Sequence, residues 1–288
     1  MFSLPPDLKW LEGSHEGREW LRHLPDHTTA CADRWRLRLE QPYARSYVSA
    51  VFPAAAAGGS PVVLKIQFPH PESVYEAEAL QRWGGNGAVR LLASDPAHHA
   101  LLLERCEPGD HLSTADPDEA LEILIDLLPR LWIDADQPFV SLYDESAAWA
   151  KELPSLWEHA GMPFEVELLD DALKTIDVLR ASYGQQVLVH QDLHGDNVLR
   201  ASREPWLAID PKPLLGEREF SVAPIVRAYE FGHGRMPVIN RLNRLTAALG
   251  LDRERARLWT FVQTLAWAFE GDRVLPRHLE TVRWLRQA

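Results

Sequence analysis

The chain has 288 residues, of which 46% are hydrophobic and 25% charged, and its formal net charge is −12. That length can bury a sizeable core and accommodates two lobes, while the acidic balance disfavours nucleic acid and suits either plain solubility or the steering of a cationic ligand. No stretch approaches a membrane span, the N-terminus carries no secretory apolar segment, and two cysteines, Cys31 and Cys106, are too few for a disulfide framework, so a soluble, cytoplasmic, monomeric protein is expected.

After an N-terminal segment with helical character, Trp35–Leu39 and Tyr47–Phe52 read as two strands. The turn between them, Gln41–Ser46, has no glycine, so Ser46 or Arg45 would have to contribute what backbone N–H groups give in a glycine-rich phosphate loop. Residues 62–68 alternate: Val62, Leu64, Ile66 and Phe68 face a core, and Lys65 points the other way with Val63 and Gln67. The chain holds only five lysines, at positions 9, 65, 151, 174 and 212. A charge on such a face is costly without a partner, and the helix predicted over 72–83 offers Glu76, with Glu78 as second choice. Glu76 is preferred because Leu80 and Trp83 continue its face toward the core. On its own Lys65 reads equally well as an edge-strand solubility residue. Gly84–Gly87 reads as a helix C-cap, and Ala100–Leu103 as a buried strand leading to a hinge where main-chain atoms around Glu104 and Cys106 could read a nucleotide base.

Residues 188–197, Leu-Val-His-Gln-Asp-Leu-His-Gly-Asp-Asn, are the most informative stretch. They place His190, Asp192 and Asn197 in the pattern H-x-D-x-x-x-x-N, in which the Asp orients or accepts the proton of an acceptor hydroxyl and the Asn holds magnesium. A second apolar run, Trp206–Ile209, ends in Asp210, where a second metal ligand is needed. The plain alternative is a polar loop after a buried strand. A sharper rival exists too: His190, Asp192, His194 and Asp196 alternate, and on an extended backbone could hold zinc or a di-metal hydrolytic centre.

With Lys65, Glu76, the octet and Asp210 in this order, the chain resembles the aminoglycoside/hydroxyurea antibiotic resistance kinases, which include streptomycin 6-phosphotransferases. His190–Asn197, Ile209–Pro213, Gly85–Ala93 and Leu102–Gly109 are similar to that family's separated sequence blocks over about residues 35–230. The resemblance implies an α+β, bilobal, protein-kinase-like fold. It has a small N-terminal lobe of antiparallel sheet with one key helix, and a larger, mostly helical C-terminal lobe. On that basis residues 1–104 would bind nucleotide, 105–110 form the hinge and 111–288 carry catalysis and the acceptor. It also implies ATP or GTP as donor, with Mg2+. Ser221 departs from the resemblance, since many relatives carry there an Asp that braces the catalytic loop.

Past the hinge, Asp116-Pro117 with Glu119 is a helix start, and helices are predicted near 144–159, 165–182, 219–231, 237–248, 252–270 and 275–286. Only about eight residues separate Asp210 from Glu219 and no A-P-E follows, so there is no segment long enough to bind a peptide. The acceptor is therefore expected to be a small molecule, cationic to suit the acidic chain, with Glu230, Glu270 and Asp272 as candidate contacts; the resemblance implies an aminoglycoside such as streptomycin. Two readings stand beside this one: a metabolic kinase acting on an amino sugar, and a silent nucleotide-binding protein on the same fold.

Overall fold

The computed structural model describes residues 4–44, 46–182 and 184–288. The chain forms two compact units, one of residues 1–109 with 201–207 and one of 110–200 with 208–288.

The first unit begins with a 3-10 segment, Pro6–Gly13, and helix α1, His15–Trp35. Ser14 caps α1 by accepting the Gly17 N–H. The helix buries Trp20, Leu24, Thr28 and Cys31 on one face. With Leu8 and Leu11, that face packs on Ala50, Phe52, Leu64, Ile66 and Ala100 of a five-stranded antiparallel sheet. The strands are β1 (Arg38–Leu39), β2 (Ser49–Ala55), β3 (Pro61–Gln67), then α2 (Glu76–Trp83), β4 (Leu91–Asp95) and β5 (Ala100–Glu104), in the order β1-β2-β3-β5-β4. Two expectations change here. Trp35 ends a helix and does not start a strand, because the apolar stripe of α1 carries the helix that far and Arg36, at φ 53, stops it. The helix expected from residue 72 starts at Glu76, since Pro71–Ser73 forms its own 3-10 turn under the His70 side chain.

The second unit is mostly helical: α3 (Pro117–Leu131), α4 (Leu142–His159) and α5 (Val166–Ala181) precede residues 187–216. Asp116 caps α3, accepting from the N–H groups of Asp118 and Glu119. Strands β6 (Val187–Val189), β7 (Val198–Arg200), β8 (Trp206–Ala208, whose first two residues belong to the first unit) and β9 (Leu214–Gly216) follow, with β6 paired antiparallel to β9. Then come α6 (Ala223–Arg227), α7 (Arg235–Leu249), α8 (Arg253–Ala266), the strands β10 (Phe269–Glu270) and β11 (Arg273–Val274), and α9 (Pro276–Arg286).

The single helix expected over 219–231 is three short pieces, Phe220–Val222, α6 and Tyr229–Phe231. The break has an owner in Arg241, which is buried, only 5% exposed. It donates to the carbonyls of Ile225, Val226, Phe231 and Gly232 at 2.9–3.2 Å. One buried guanidinium thus gathers four carbonyls from the segment where a continuous helix was expected, although the Ile225 carbonyl also takes the Ala228 N–H at 3.3 Å. The helix expected over 252–270 ends at Ala266, and Gly271 at φ 63 turns the chain into the β10–β11 hairpin. Among the described residues, no helix is long and apolar enough to cross a membrane.

Candidate active site

In the first unit, Lys65 lies on β3 with its side chain 6% exposed, opposite the core face that holds Leu64 and Ile66. Its Nζ donates to both oxygens of Glu76, at 2.8 and 2.6 Å, and Gln67, two residues along the same face, donates to Glu76 Oε2 at 2.6 Å. Two donors from alternate strand positions thus converge on one carboxylate at the first turn of α2. Such saturation is what lets charges persist where burial would otherwise expel them. Glu78 is turned out and pairs with Arg82 at 3.0 Å, one helical turn away.

The other first-unit candidates are occupied by local structure. The Ser46 hydroxyl donates to the Ser49 carbonyl and lies 3.0 Å from the Ser49 hydroxyl, so it fixes the start of β2. Arg45 lies outside the described residues. Glu104 takes Arg203 in a two-pronged bond at 2.7 and 2.9 Å and the Arg90 N–H at 3.0 Å. Its own N–H goes to the Arg90 carbonyl at 3.0 Å. Cys106 is buried, and that burial pushes its thiol up to about 12.

In the second unit, β6 delivers a fully apolar Val187-Leu-Val189 strand that ends at His190. Gln191, at φ 62, then turns the chain out of the extended form. This disposes of the zinc rival, since residues 190, 192, 194 and 196 share one side only on an extended backbone. His190 is buried and its Nε2 bonds the Ile209 carbonyl at 2.9 Å. Burial, opposed by Asp192 and by that carbonyl, lowers its pKa to about 4, so it is neutral structural cement. Among the described residues a three-donor grouping suited to a metal does occur, Cys31, Asp95 and His98 in the first unit. There, however, Asp95 is already bonded to Arg34, His98 and the Ala97 N–H.

The loop after His190 is tightly held. Gly195 packs so closely that a Cβ would stand 2.6 Å from the Phe231 ring and 2.8 Å from Ser113 Cα, which requires glycine. Ser113 donates to Asp196, and His111 Nδ1 donates to the Asp196 carbonyl at 2.8 Å. Glu230 accepts the Gly195 N–H at 3.0 Å and lies 3.5 Å from His194 Nδ1. The bracing in doubt at Ser221 is therefore supplied from elsewhere. Ser221 instead accepts from Trp132 Nε1 at 3.0 Å and donates to the Arg218 carbonyl at 2.6 Å.

Asn197 donates from Nδ2 to the Asp192 carbonyl at 2.8 Å, which commits the amide nitrogen to the loop and turns Oδ1 away as a potential ligand atom. Asp210 is brought beside it by backbone bonds on either side, Ile209 N–H to the Asn197 carbonyl at 2.9 Å and Lys212 N–H to the His190 carbonyl at 3.0 Å. Asp210 itself sits at φ 55 with an exposed side chain. A left-handed backbone at a non-glycine residue is a strained arrangement of the kind that gathers at functional sites. An amide oxygen and a carboxylate are hard donors that suit Mg2+.

Asp192 is surrounded by basic side chains, of which Lys212 and Arg227 were given no role from the sequence. Lys212 Nζ lies 3.3 Å from Oδ2, Arg227 3.7 Å from Oδ1, and His194 Nε2 3.8 Å from Oδ1. Burial alone would raise the carboxyl. Lys212, His194 and Arg227 together outweigh it and hold it at about 2. Because this value is depressed below the ordinary 3.8, the stabilisation is complete above that pH and is lost only as the pH falls toward 2. Lys212 and Arg227 also stack on one indole, Trp267, each 4.6 Å from the ring centroid. Of the acceptor candidates, Glu230 belongs to the loop scaffold, while Glu270 and Asp272 sit exposed on the β10–β11 hairpin.

The profile of the aminoglycoside/hydroxyurea antibiotic resistance kinases matches residues 34–273. The chain belongs to this family. It is 37% identical over 260 residues to streptomycin 6-kinase of Streptomyces griseus, covering 88% of this chain and 84% of that one. It is also 37% identical over 273 residues to hydroxyurea phosphotransferase of Kitasatospora aureofaciens, covering 92% and 79%. In three dimensions it resembles a choline kinase from Streptococcus pneumoniae, with a TM-score of 0.67 at 14% identity, covering 92% of this chain and all of that one. A thermostable mutant of an aminoglycoside phosphotransferase matches with a TM-score of 0.58, also at 14% identity, covering 89% and 94%. The fold is thus protein-kinase-like, and the kinase phosphorylates a small molecule with ATP.

Proposed function

We propose that the kinase transfers the γ-phosphoryl group of ATP to a hydroxyl of an aminoglycoside, with streptomycin the first compound to test. The observation that carries this reading is Asp192, a carboxylate kept ionised inside a loop whose every turn is bonded in place, with Asn197 and Asp210 beside it. Asp192 orients the acceptor hydroxyl and takes its proton as the new bond forms. Asn197 and Asp210 are the residues that would hold Mg2+, which when bound offsets phosphate charge. Lys65, fixed by Glu76 and Gln67, binds the α- and β-phosphates in the nucleotide-binding portion, residues 1–104. Residues 105–110 connect it to the catalytic and acceptor-binding portion, 111–288. The enzyme is further read as a cytoplasmic monomer, since ATP is its donor and nothing in the sequence calls for a second chain.

A second acceptor class has its own support. A hydroxyurea phosphotransferase is as similar to this chain as the streptomycin kinase is, and a small neutral acceptor would meet no repulsion from Lys212 and Arg227. Turnover of ATP measured against streptomycin, other aminoglycosides, hydroxyurea and simple hexosamines separates these readings. Turnover with hydroxyurea or a hexosamine alone removes the aminoglycoside assignment and leaves the kinase intact. ATP binding without turnover on any acceptor identifies a silent relative.

A further inference from the structure

One carboxylate needs one counterion, and Asp192 has two permanent ones. Arg227 and Lys212 approach its two oxygens from the same indole platform. Neither reaches the 2.7–2.9 Å of a charge-assisted bond. Their situations differ. Arg227 has a side chain only 9% exposed and is anchored by a 2.6 Å bond to Gln263 Oε1. The Lys212 side chain is 28% exposed, on a flexible stem whose ammonium lies over Trp267. Burial lowers the Arg227 guanidinium to about 10, still far above neutrality, so its charge is permanent at working pH.

We propose, resting on the kinase reading above, that Lys212 is a catalytic residue that binds the phosphoryl group in transit, while Arg227 remains as the counterion of Asp192. During transfer the bond from the γ-phosphorus to the bridging oxygen breaks and its electron pair leaves on ADP. The acceptor oxygen supplies the pair for the new bond, and its proton passes to Asp192. Negative charge on the three non-bridging oxygens then stands next to the carboxylate that orients the acceptor. A second cation is useful only when that charge arrives, and a lysine on a partly exposed, unbranched stem can swing from Asp192 to a phosphoryl oxygen while Arg227 stays with the carboxylate. The left-handed Asp210 and the Lys212 N–H bond to the His190 carbonyl fix the base of the stem on the catalytic loop itself.

The test is Lys212→Met, which keeps an unbranched stem over Trp267 and removes the charge. With a working acceptor from the panel, kcat should fall about 100- to 1000-fold while the KM values for ATP and acceptor change less than about threefold. Calorimetry with Mg2+, ADP and aluminium fluoride, a mimic of the planar phosphoryl group, should show tight binding in the wild type and its loss in the variant, with Mg2+–ADP affinity retained. Lys212→Arg should recover part of both signals. The decisive comparison is made in an Asp192→Asn background. If Lys212 served only as the counterion of Asp192, adding Lys212→Met there would leave aluminium fluoride binding unchanged, and the proposal would be wrong. Unchanged kcat in Lys212→Met overturns it as well. A wild type that binds no ATP would instead overturn the kinase reading beneath it.

Discussion

The two charged centres of this kinase are built on opposite plans. At Lys65 the pair is closed: ammonium and carboxylate meet at 2.6–2.8 Å, both nearly sealed from solvent, with Gln67 adding a further donor. At Asp192 the carboxylate is surrounded at 3.3–3.8 Å by more positive charge than it needs. Tight mutual pairing fixes the direction of a side chain that must hold still. A looser ring of cations keeps a carboxylate ionised while leaving capacity for charge that appears only during reaction. The difference shows why short distances are a poor guide to which residues do chemistry.

The largest expected effect breaks the open centre. Asp192→Asn should lower kcat by about 1000-fold or more, within the range of a lost general base, while ATP affinity measured by calorimetry stays within about threefold. Near-normal turnover would remove the role assigned to Asp192.

Breaking the closed centre should instead cost stability. Lys65→Met leaves Glu76 buried without its cation and should destabilise the protein by about 3–5 kcal/mol in chemical denaturation, besides weakening ATP binding. The double variant Lys65→Met/Glu76→Leu should recover most of the stability and none of the ATP affinity. If it recovered neither, the pair would not be the self-contained unit described.

A smaller effect sharpens the comparison at the metal ligands. Asp210→Ala and Asn197→Ala should both raise the Mg2+ concentration needed for half-maximal turnover, Asp210→Ala by more, because a carboxylate binds a hard cation better than an amide does. Equal or reversed ranking in a Mg2+ titration would reassign them. The smallest effect concerns the acceptor. If it is polycationic, its apparent KM should rise a few-fold between low and about 0.15 M salt, where the screening length is about 8 Å, with less change in KM for ATP.

Much of this was legible in the chain because it depends on local order. The alternation of 62–68 fixed which way Lys65 points, and the face shared by residues 76, 80 and 83 favoured Glu76 over Glu78. The octet and the run ending at Asp210 marked the segments that the backbone brings together, through the Ile209 N–H to Asn197 carbonyl bond. What escaped depends on distant backbone. Arg227 is one arginine among many, and its place beside Asp192 comes from the end of the short α6, where a longer helix was expected. Glu230 looked like a substrate contact because its partner, the Gly195 N–H, is a backbone group with no sequence signature. Glu270 was expected at the end of a helix over 252–270, but that helix stops at Ala266 and Gly271 turns Glu270 and Asp272 into a hairpin. Lys212 could have been found: the same scarcity of lysine that drew notice to Lys65 applies to it, and it lies two residues past Asp210.

One bond described above bears on how the protein is made. Arg203 grips Glu104 and the carbonyls of Gly85 and Ala88, although it lies 99 residues beyond Glu104 in the chain. On the ribosome, which delivers the chain from its N-terminus, the sheet of the first unit therefore emerges with a buried-edge carboxylate and two carbonyls lacking their guanidinium. It must wait through α3, α4, α5 and the catalytic loop before Arg203 appears. A nascent chain released before that point is left with an unsatisfied first unit, and a full-length chain cannot finish the unit translated first until about half of the second has been synthesised.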